Sequence, residues 1–153
     1  MYKTEHFTDS IFYQMELTAK YCRSLGMQFF TKLEMPITLD EFSALDVIKL
    51  NDGICQRELA KIILKDRANT GRILSSLEEK GFIERFVDTK NNRLVRKMIL
   101  TENGEKIFSE VSQKIKKQLS QIPKIISDEE KENIKLIMKK FREGLKQEVE
   151  MKI

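Results

Sequence analysis

The sequence is poor in residues that mark several large classes of protein. It contains 2 cysteines, 1 histidine, 2 prolines and 6 glycines among 153 residues. Two cysteines allow one disulfide at most, which argues against a disulfide-rich secreted scaffold and leaves reduced thiols as the expected state. A single histidine with two cysteines on different predicted helices does not make a zinc site, so no metal and no cofactor are expected.

Long apolar runs and catalytic motifs are also missing from the sequence. No stretch of about 18 apolar residues could cross a membrane. Lys3, Glu5 and Asp9 are charged where a signal peptide would be apolar, so a cytoplasmic protein is expected. No P-loop, dinucleotide-binding or nucleophile-elbow motif occurs, which argues against an enzyme. Without repeats or low-complexity stretches, residues 1–153 are expected to form a single domain.

The positive charge of the sequence is unevenly distributed. The whole chain has a formal net charge of +4, whereas residues 57–98 hold 11 Lys/Arg against 6 Asp/Glu, a net of +5. Residues 1–56 are acidic, with 5 Lys/Arg against 8 Asp/Glu. A basic segment of this kind is the electrostatic pattern expected of a nucleic-acid-binding surface.

Apolar residues recur at spacings of three, four and seven along most of the chain, which predicts helices. "TLDE" at 38–41 and "SDEE" at 127–130 are capping boxes that begin two helices, and Asp66 is expected to cap another. The short helix at 55–64 is expected to bury Leu59, Ile62 and Ile63. The predicted helices cover residues 9–33, 38–50, 55–64, 67–80, 102–122 and 127–145.

Two strand-like segments lie between the fourth and fifth helices. "FIERFVD" and "RLVRKMIL" are rich in β-branched and large apolar residues and flank a polar turn with two asparagines, which predicts a hairpin. Two helices joined by a short turn and followed by a hairpin form a winged helix-turn-helix. The expected fold is therefore all-α with a small β-hairpin wing, and the winged lobe covers about residues 38–100.

The helix at 67–80 has one face that folding alone does not explain. Opposite its apolar face, small residues surround Arg72, whose guanidinium suits the edge of guanine, while Asn69 suits adenine. Gly71 inside a helix costs about 1 kcal/mol relative to alanine, which suggests close approach by another molecule. The solvated-surface alternative weakens when this face is considered with the basic segment. The predicted DNA-binding residues are Arg67, Ala68, Asn69, Gly71, Arg72, Ser75 and Ser76 on the helix, with Lys90, Asn92 and Arg93 on the wing.

The segment from Glu58 to Ile107 resembles the MarR family of transcriptional regulators. The resemblance depends on four motifs: Leu59-Ala60, Asp66-Arg67, Leu77 to Gly81, and Leu100 to Gly104. It implies a homodimer whose arm, residues 1–35 and 101–153, intertwines with that of its partner. It also implies binding of double-stranded operator DNA, with repression relieved by a small aromatic or phenolic ligand or by oxidation. The alternative is a winged-helix adaptor that binds a protein partner without sequence-specific DNA binding.

The wing departs from the family pattern Asp-x-x-Asp-Arg-Arg. Counting forward from Asp88 places Asn92 at the tip arginine, whereas counting back from Leu100 places Arg93 there. The second count is preferred because a loop tip tolerates an inserted residue more readily than the strands behind it. Arg93 is therefore the expected tip residue, without the carboxylate that usually accompanies it.

Two cysteines and a group of aromatic residues leave alternatives open. Cys55 stands at a helix start, which favours a reactive thiolate, so it is either a redox switch or a small apolar filler. Cys22 lies on the apolar stripe of the first helix and is expected in a core or a dimer interface. Some of the N-terminal aromatics can line an effector cleft, although most are expected in core and interface: Tyr2, Phe7, Phe12, Tyr13, Tyr21, Phe29 and Phe30.

Overall fold

The computed structural model describes residues 6–150, so Tyr2, Lys3 and Glu5 lie outside the described residues. A short 3₁₀ helix, Phe7–Asp9, precedes the first α-helix. Six helices and the hairpin follow, as predicted, and one further short strand joins the hairpin. In chain order the elements are α1 (Ile11–Lys32), α2 (Leu39–Leu50), β1 (Ile54–Cys55), α3 (Gln56–Ile63), α4 (Arg67–Glu79), β2 (Ile83–Lys90), β3 (Arg93–Leu100), α5 (Glu102–Ser120) and α6 (Asp128–Leu145).

Polar side chains begin the helices at the predicted positions. Thr38 Oγ1 accepts a hydrogen bond from the Glu41 backbone N at 3.1 Å, and Glu41 Oε1 accepts one from the Thr38 backbone N at 3.0 Å. Ser127 and Glu130 form the second capping box in the same way. Asp66 caps α4 through its side chain. The predicted starts of α2, α4 and α6 are therefore confirmed.

The three strands form one antiparallel sheet in the order β1-β3-β2. The hairpin pairs Ile83 with Leu100 at its base and Lys90 with Arg93 at its tip. The turn has two residues, Asn91 and Asn92, with φ of 53° and 60°, and asparagine tolerates this left-handed region better than most residues. The sequence does not predict β1, because a strand of two residues has no alternation to detect.

The core lies between α2, α3, α4, the base of the hairpin and the start of α5. Its largest fully buried apolar side chains are Leu45, Ile48, Leu59, Leu74, Leu77, Ile83, Met98 and Val111. The predicted burial of Ile62 is wrong, because its side chain is 54% exposed. On a helix wheel Leu59, Ala60 and Ile63 lie within about 100° of one another, and Ile62 falls outside that arc.

The two ends of the chain pack against each other more loosely than the winged part. The rings of Phe12 in α1 and Phe141 in α6 lie 5.6 Å apart. No residue of α6 is buried within the single chain. Cys22 is exposed, so its predicted burial in a core is wrong for the single chain, whereas its place in a dimer interface stays a prediction. None of the described helices is long and apolar enough to cross a membrane.

Candidate nucleic-acid interface

The outer face of α4 is a shallow surface of small residues. Ala68, Gly71 and Ser75 line a concavity of about 530 Å³, and Arg72 stands at its side. The lining is completed by Ser76 and Glu79 of α4, by Gln56 of α3 and by two arginines of the sheet, Arg85 and Arg96. The opposite face of α4 is buried through Thr70, Leu74 and Leu77, so the predicted division of this helix into two faces is confirmed.

Three side chains form a chain of hydrogen bonds along the exposed side of α4. Asp66 accepts from the backbone N of Asn69 at 2.7 Å and from its side-chain Nδ2 at 2.8 Å. Arg72 then donates to Asn69 Oδ1. The pKa of Asp66 is lowered, and the largest cause is the hydrogen bond from the backbone N–H of Asn69. Arg72 is therefore oriented through Asn69 by the residue that caps the helix.

Ser76 differs from the other small residues of α4 because its hydroxyl group points inward. Ser76 Oγ donates to Glu41 Oε2 at 3.0 Å. This hydroxyl already has a partner on α2. The helical wheel places Ser76 on the outer face of α4. A wheel cannot show that Glu41, on another helix, accepts a hydrogen bond from this hydroxyl group.

Crowding by neighbouring atoms of the chain does not explain why residue 71 is a glycine. A Cβ atom at this position would lie 3.7 Å from Gln56 Nε2, an ordinary van der Waals distance. Alanine would therefore fit in the free protein and would favour the helix. Contacts within the chain therefore do not explain Gly71, and close approach by another molecule stays a prediction.

Arg85 belongs to this surface, although the sequence alone does not predict it. Its Nε and Nη2 donate to the two carboxylate oxygens of Glu78 at 3.1 Å each, and Nη2 reaches Ser75 Oγ at 3.4 Å. The pKa of Glu78 is lowered, first by this hydrogen bonding from Arg85. The bidentate pair fixes strand β2 against α4. The pair is not evident from the sequence, because Glu78 and Arg85 are seven residues apart and lie on different elements.

A second concavity, of about 590 Å³, lies on the α3 side of the sheet. Three arginines line it, Arg57 from α3, Arg67 from α4 and Arg96 from β3. Arg96 also lines the first concavity, so the two are neighbours. Arg57, like Arg85, is not predicted as a site residue from the sequence alone. The cluster provides guanidinium groups around a space open to an anion.

The wing tip brings the three predicted wing residues together. Asn92 lies in the turn itself, whereas Lys90 and Arg93 form the last strand pair beneath it. Lys90 Nζ donates a hydrogen bond to Glu58 of α3. This hydrogen bond is the largest cause of the raised pKa of Lys90. Asp88 pairs with Lys97 at 2.9 Å, so its carboxylate is committed to β3.

Cys55 caps α3 without a side-chain hydrogen bond to the helix, and it is buried, with 9% of its surface exposed. The pKa of Glu58 is lowered, mainly by hydrogen bonding from Lys90 and to a lesser extent by the Cys55 thiol. Cys55 pairs with Lys97 of β3 and precedes α3, so it lies where the helix meets the wing. Among residues 6–150, no group of three or more His, Cys, Asp or Glu side chains is placed to hold a metal ion.

Comparison with known proteins agrees with this geometry. The sequence model of the MarR family matches residues 37–95. Over these residues, the chain resembles the MarR family. The matched residues run from the start of α2 into β3 and include every predicted DNA-binding residue. MarR-family members are transcriptional regulators rather than enzymes.

Known proteins resemble both the sequence and the fold of this chain. YybA of Bacillus subtilis (strain 168), an HTH-type transcriptional regulator, is 27% identical over 117 residues, which cover 76% of this chain and 77% of YybA. A MarR protein from Peptoclostridium difficile superimposes with a TM-score of 0.75 at 18% identity, covering 97% and 95% of the two chains. S. aureus MepR, solved as a complex with DNA, superimposes with a TM-score of 0.67 at 23% identity, covering 92% and 99%.

Two of the motifs that carry the MarR resemblance meet in the structure. Thr101 Oγ1 donates to the carbonyl oxygen of Gly81 at 2.6 Å and accepts from the backbone N of Gly104 at 3.0 Å. The backbone N of Thr101 donates to the carbonyl oxygen of Phe82 at 3.0 Å. The end of α4 is thereby joined to the start of α5, and the hairpin is held between them.

Proposed function

We propose that this chain is a homodimeric, sequence-specific repressor that acts in the cytoplasm by occupying double-stranded operator DNA. The observation that carries the proposal is the outer face of α4, where Ala68, Gly71 and Ser75 make a low surface flanked by Arg72. A helix with this profile fits into a major groove about 12 Å wide. Arg72 is the proposed base-reading residue, and Asn69 orients it.

Phosphate contacts come from the arginines beside α4 and from the wing. Arg57, Arg67 and Arg96 line one continuous basic surface next to the recognition helix. Lys90 and Arg93 extend it to the wing tip. Such contacts position a protein on the duplex and make its affinity fall with salt concentration. Ser76 is left out of the proposed base contacts because its hydroxyl is hydrogen-bonded to Glu41.

The extent of exposed surface supports a homodimer. The chain exposes 12064 Å², whereas a monomeric protein of this mass is expected to expose roughly 8,000 Å². Large apolar side chains contribute to the excess on α1 and α6, among them Phe12, Tyr21, Leu136 and Ile137. Burial of these side chains against a second copy would join two winged lobes, as two half-sites of an operator require.

A cleft between the dimerisation arm and the winged lobe supports release by a small ligand. It has a volume of about 440 Å³, within the usual range of small-molecule sites. Phe42, Val47 and Ile63 give it apolar walls, and its polar wall holds Arg23 and Lys65, both paired with Asp40. A small aromatic or phenolic ligand matches this mixed apolar and polar lining. Oxidation of Cys55 is the second route, opposed by the burial of its thiol.

The proposed function is tested by selecting genomic fragments with the wild-type protein at several salt concentrations. One preferred fragment class, a steep salt dependence and a complex of two chains per site are expected. Equal binding to all fragments, or no salt dependence, would instead favour the protein-interaction adaptor. Oxidant titration of the preferred complex with Cys55→Ser and Cys22→Ser then tests the redox route, which fails if all three proteins respond alike.

A further inference from the structure

Glu41, in the first turn of α2, is a buried carboxylate with partners on two helices. Only 3% of the residue is exposed. Its Oε1 accepts from the Thr38 backbone N at 3.0 Å, which completes the capping box of α2. Lys80 Nζ donates to both carboxylate oxygens, at 2.9 and 3.0 Å, and Ser76 donates to Oε2 at 3.0 Å.

The contacts of Glu41 with Ser76 and Lys80 are not needed to cap the start of α2. A capping box needs only the exchange between Thr38 and Glu41. Ser76 and Lys80 instead belong to the last turn and the C-cap of α4, the helix whose outer face carries Arg72. One buried side chain therefore closes the start of α2 and holds the end of α4.

Directional bonds are needed here because the rest of the α2–α4 contact is apolar. Leu45, Ile48, Leu74 and Leu77 are fully buried in the shared core. Apolar contacts give affinity between helices, but they permit small rotations and shifts at little cost in free energy. A buried, fully hydrogen-bonded charge fixes register, since any displacement would leave it without partners.

We propose that Glu41 is a positioning residue that fixes the register of the recognition helix against α2 and thereby sets base selectivity. The inference rests on the proposed DNA-binding function of α4. Glu41 itself is too deeply buried to touch DNA. It acts through its hydrogen bonds to Ser76 and Lys80, which fix the orientation of α4 and therefore of its outer face.

Two variants separate this role from the capping role of the same side chain. Glu41→Gln keeps a capping-box residue for Thr38, because glutamine also serves at this position. It removes the charge that pairs with Lys80. Thr38→Ala is the matched control, since it breaks the capping box and leaves the contacts to Ser76 and Lys80 in place. Both variants are first shown to be folded by circular dichroism and thermal melting.

The decisive measurement is the ratio of affinities for a preferred fragment and an unrelated duplex. For Glu41→Gln this ratio is expected to fall by roughly tenfold, comparable to one mismatched base pair, with the salt dependence unchanged. For Thr38→Ala the melting temperature falls but the ratio stays the same. A ratio unchanged in Glu41→Gln, or lowered equally in Thr38→Ala, would overturn the inference.

Amide hydrogen exchange on the free protein gives a second readout that does not depend on DNA. Faster exchange is expected at residues 76–80 in Glu41→Gln, with α5 unaffected. If the wild-type protein prefers no fragment, the proposed function fails, and exchange alone then decides whether Glu41 holds α4. Unchanged exchange at residues 76–80 would refute the positioning role in that case as well.

Discussion

Gly104 lies directly against the carbonyl group of Phe82. A Cβ atom at position 104 would overlap the Phe82 carbonyl oxygen and lie 2.9 Å from its carbonyl carbon. Because that oxygen also accepts from the backbone N of Thr101, it cannot move away without losing a hydrogen bond. The absence of a side chain at Gly104 therefore lets α5 pack against the base of the hairpin.

Gly104→Ala is expected to destabilise the fold by at least about 2 kcal/mol, because backbone atoms rather than a flexible side chain have to yield. Urea unfolding measures the change. Gly144→Ala is the matched control, since within residues 6–150 no atom outside its own helical turn lies within 4 Å of its added Cβ. The control should stabilise α6 slightly or leave it unchanged. Equal effects of the two substitutions would contradict the steric argument.

Gly71→Ala should separate folding from DNA binding. The free chain has room for a Cβ atom there, so thermal stability should rise by up to about 1 kcal/mol through helix propensity. Affinity for the preferred DNA fragment should fall by about tenfold, or 1.4 kcal/mol, if the duplex approaches α4 closely. Gain of stability without loss of affinity would show that DNA does not approach position 71.

The helices and the wing were predictable because their signals are local. Capping boxes such as Thr38 with Glu41 join residues three apart, and the two faces of α4 follow from its period. The short strand β1 and the exposure of Ile62 were not predictable, since both depend on where distant elements pack. Ile54 and Cys55 become a strand only because Met98 and Lys97 lie opposite them.

The candidate site was predictable in outline, although some of its internal contacts were not. Arg72, Gly71 and the wing residues stand out through residue type and position on a helix or turn. Arg85 is recognised only when its bidentate pairing with Glu78 is seen, and the inward hydroxyl of Ser76 only with Glu41 in view. Long-range polar contacts leave no periodic trace in a sequence.

Arg72→Ala is expected to cost about 1 to 3 kcal/mol on the preferred fragment and to relax base preference. Arg72→Lys keeps the charge but loses the planar fork, so it should show most of the same loss. Lys61→Ala, on α3 and outside both concavities, is the control and should bind normally. Fluorescence anisotropy on preferred and unrelated duplexes measures the effect. A uniform loss on every sequence would assign Arg72 to phosphate binding instead.

Glu58 is expected to restrain DNA binding, because it pairs with Lys90 at the wing. Glu58→Gln should free Lys90 and remove a negative charge beside the duplex. Affinity should then rise on all sequences, and the slope of log affinity against log salt should steepen by about 0.9 if Lys90 gains one phosphate contact. Lys90→Ala should weaken binding on all sequences alike. An unchanged slope in Glu58→Gln would mean that Lys90 lies away from the DNA.

Stability should depend on the ionisation of Glu41 at acid pH. Burial raises the pKa of this carboxyl group, but the hydrogen bonds from Lys80, Thr38 and Ser76 outweigh it, so the pKa lies below its ordinary value of 4.5. A carboxyl group with a lowered pKa in the folded state binds its proton more readily when unfolded. Its contribution is therefore complete above pH 4.5 and is lost as pH falls through the folded-state pKa.

Urea unfolding of the wild-type protein and Glu41→Gln between neutral pH and pH 3 or so would measure this contribution. The two proteins should differ most above pH 4.5, and the difference should shrink as the solution becomes more acidic. Asp46→Asn, an exposed change on the same helix, should follow the wild-type curve. Because glutamine cannot ionise, a constant difference across this range would mean that the Lys80 pair adds no ionisation-dependent stability to the α2–α4 contact.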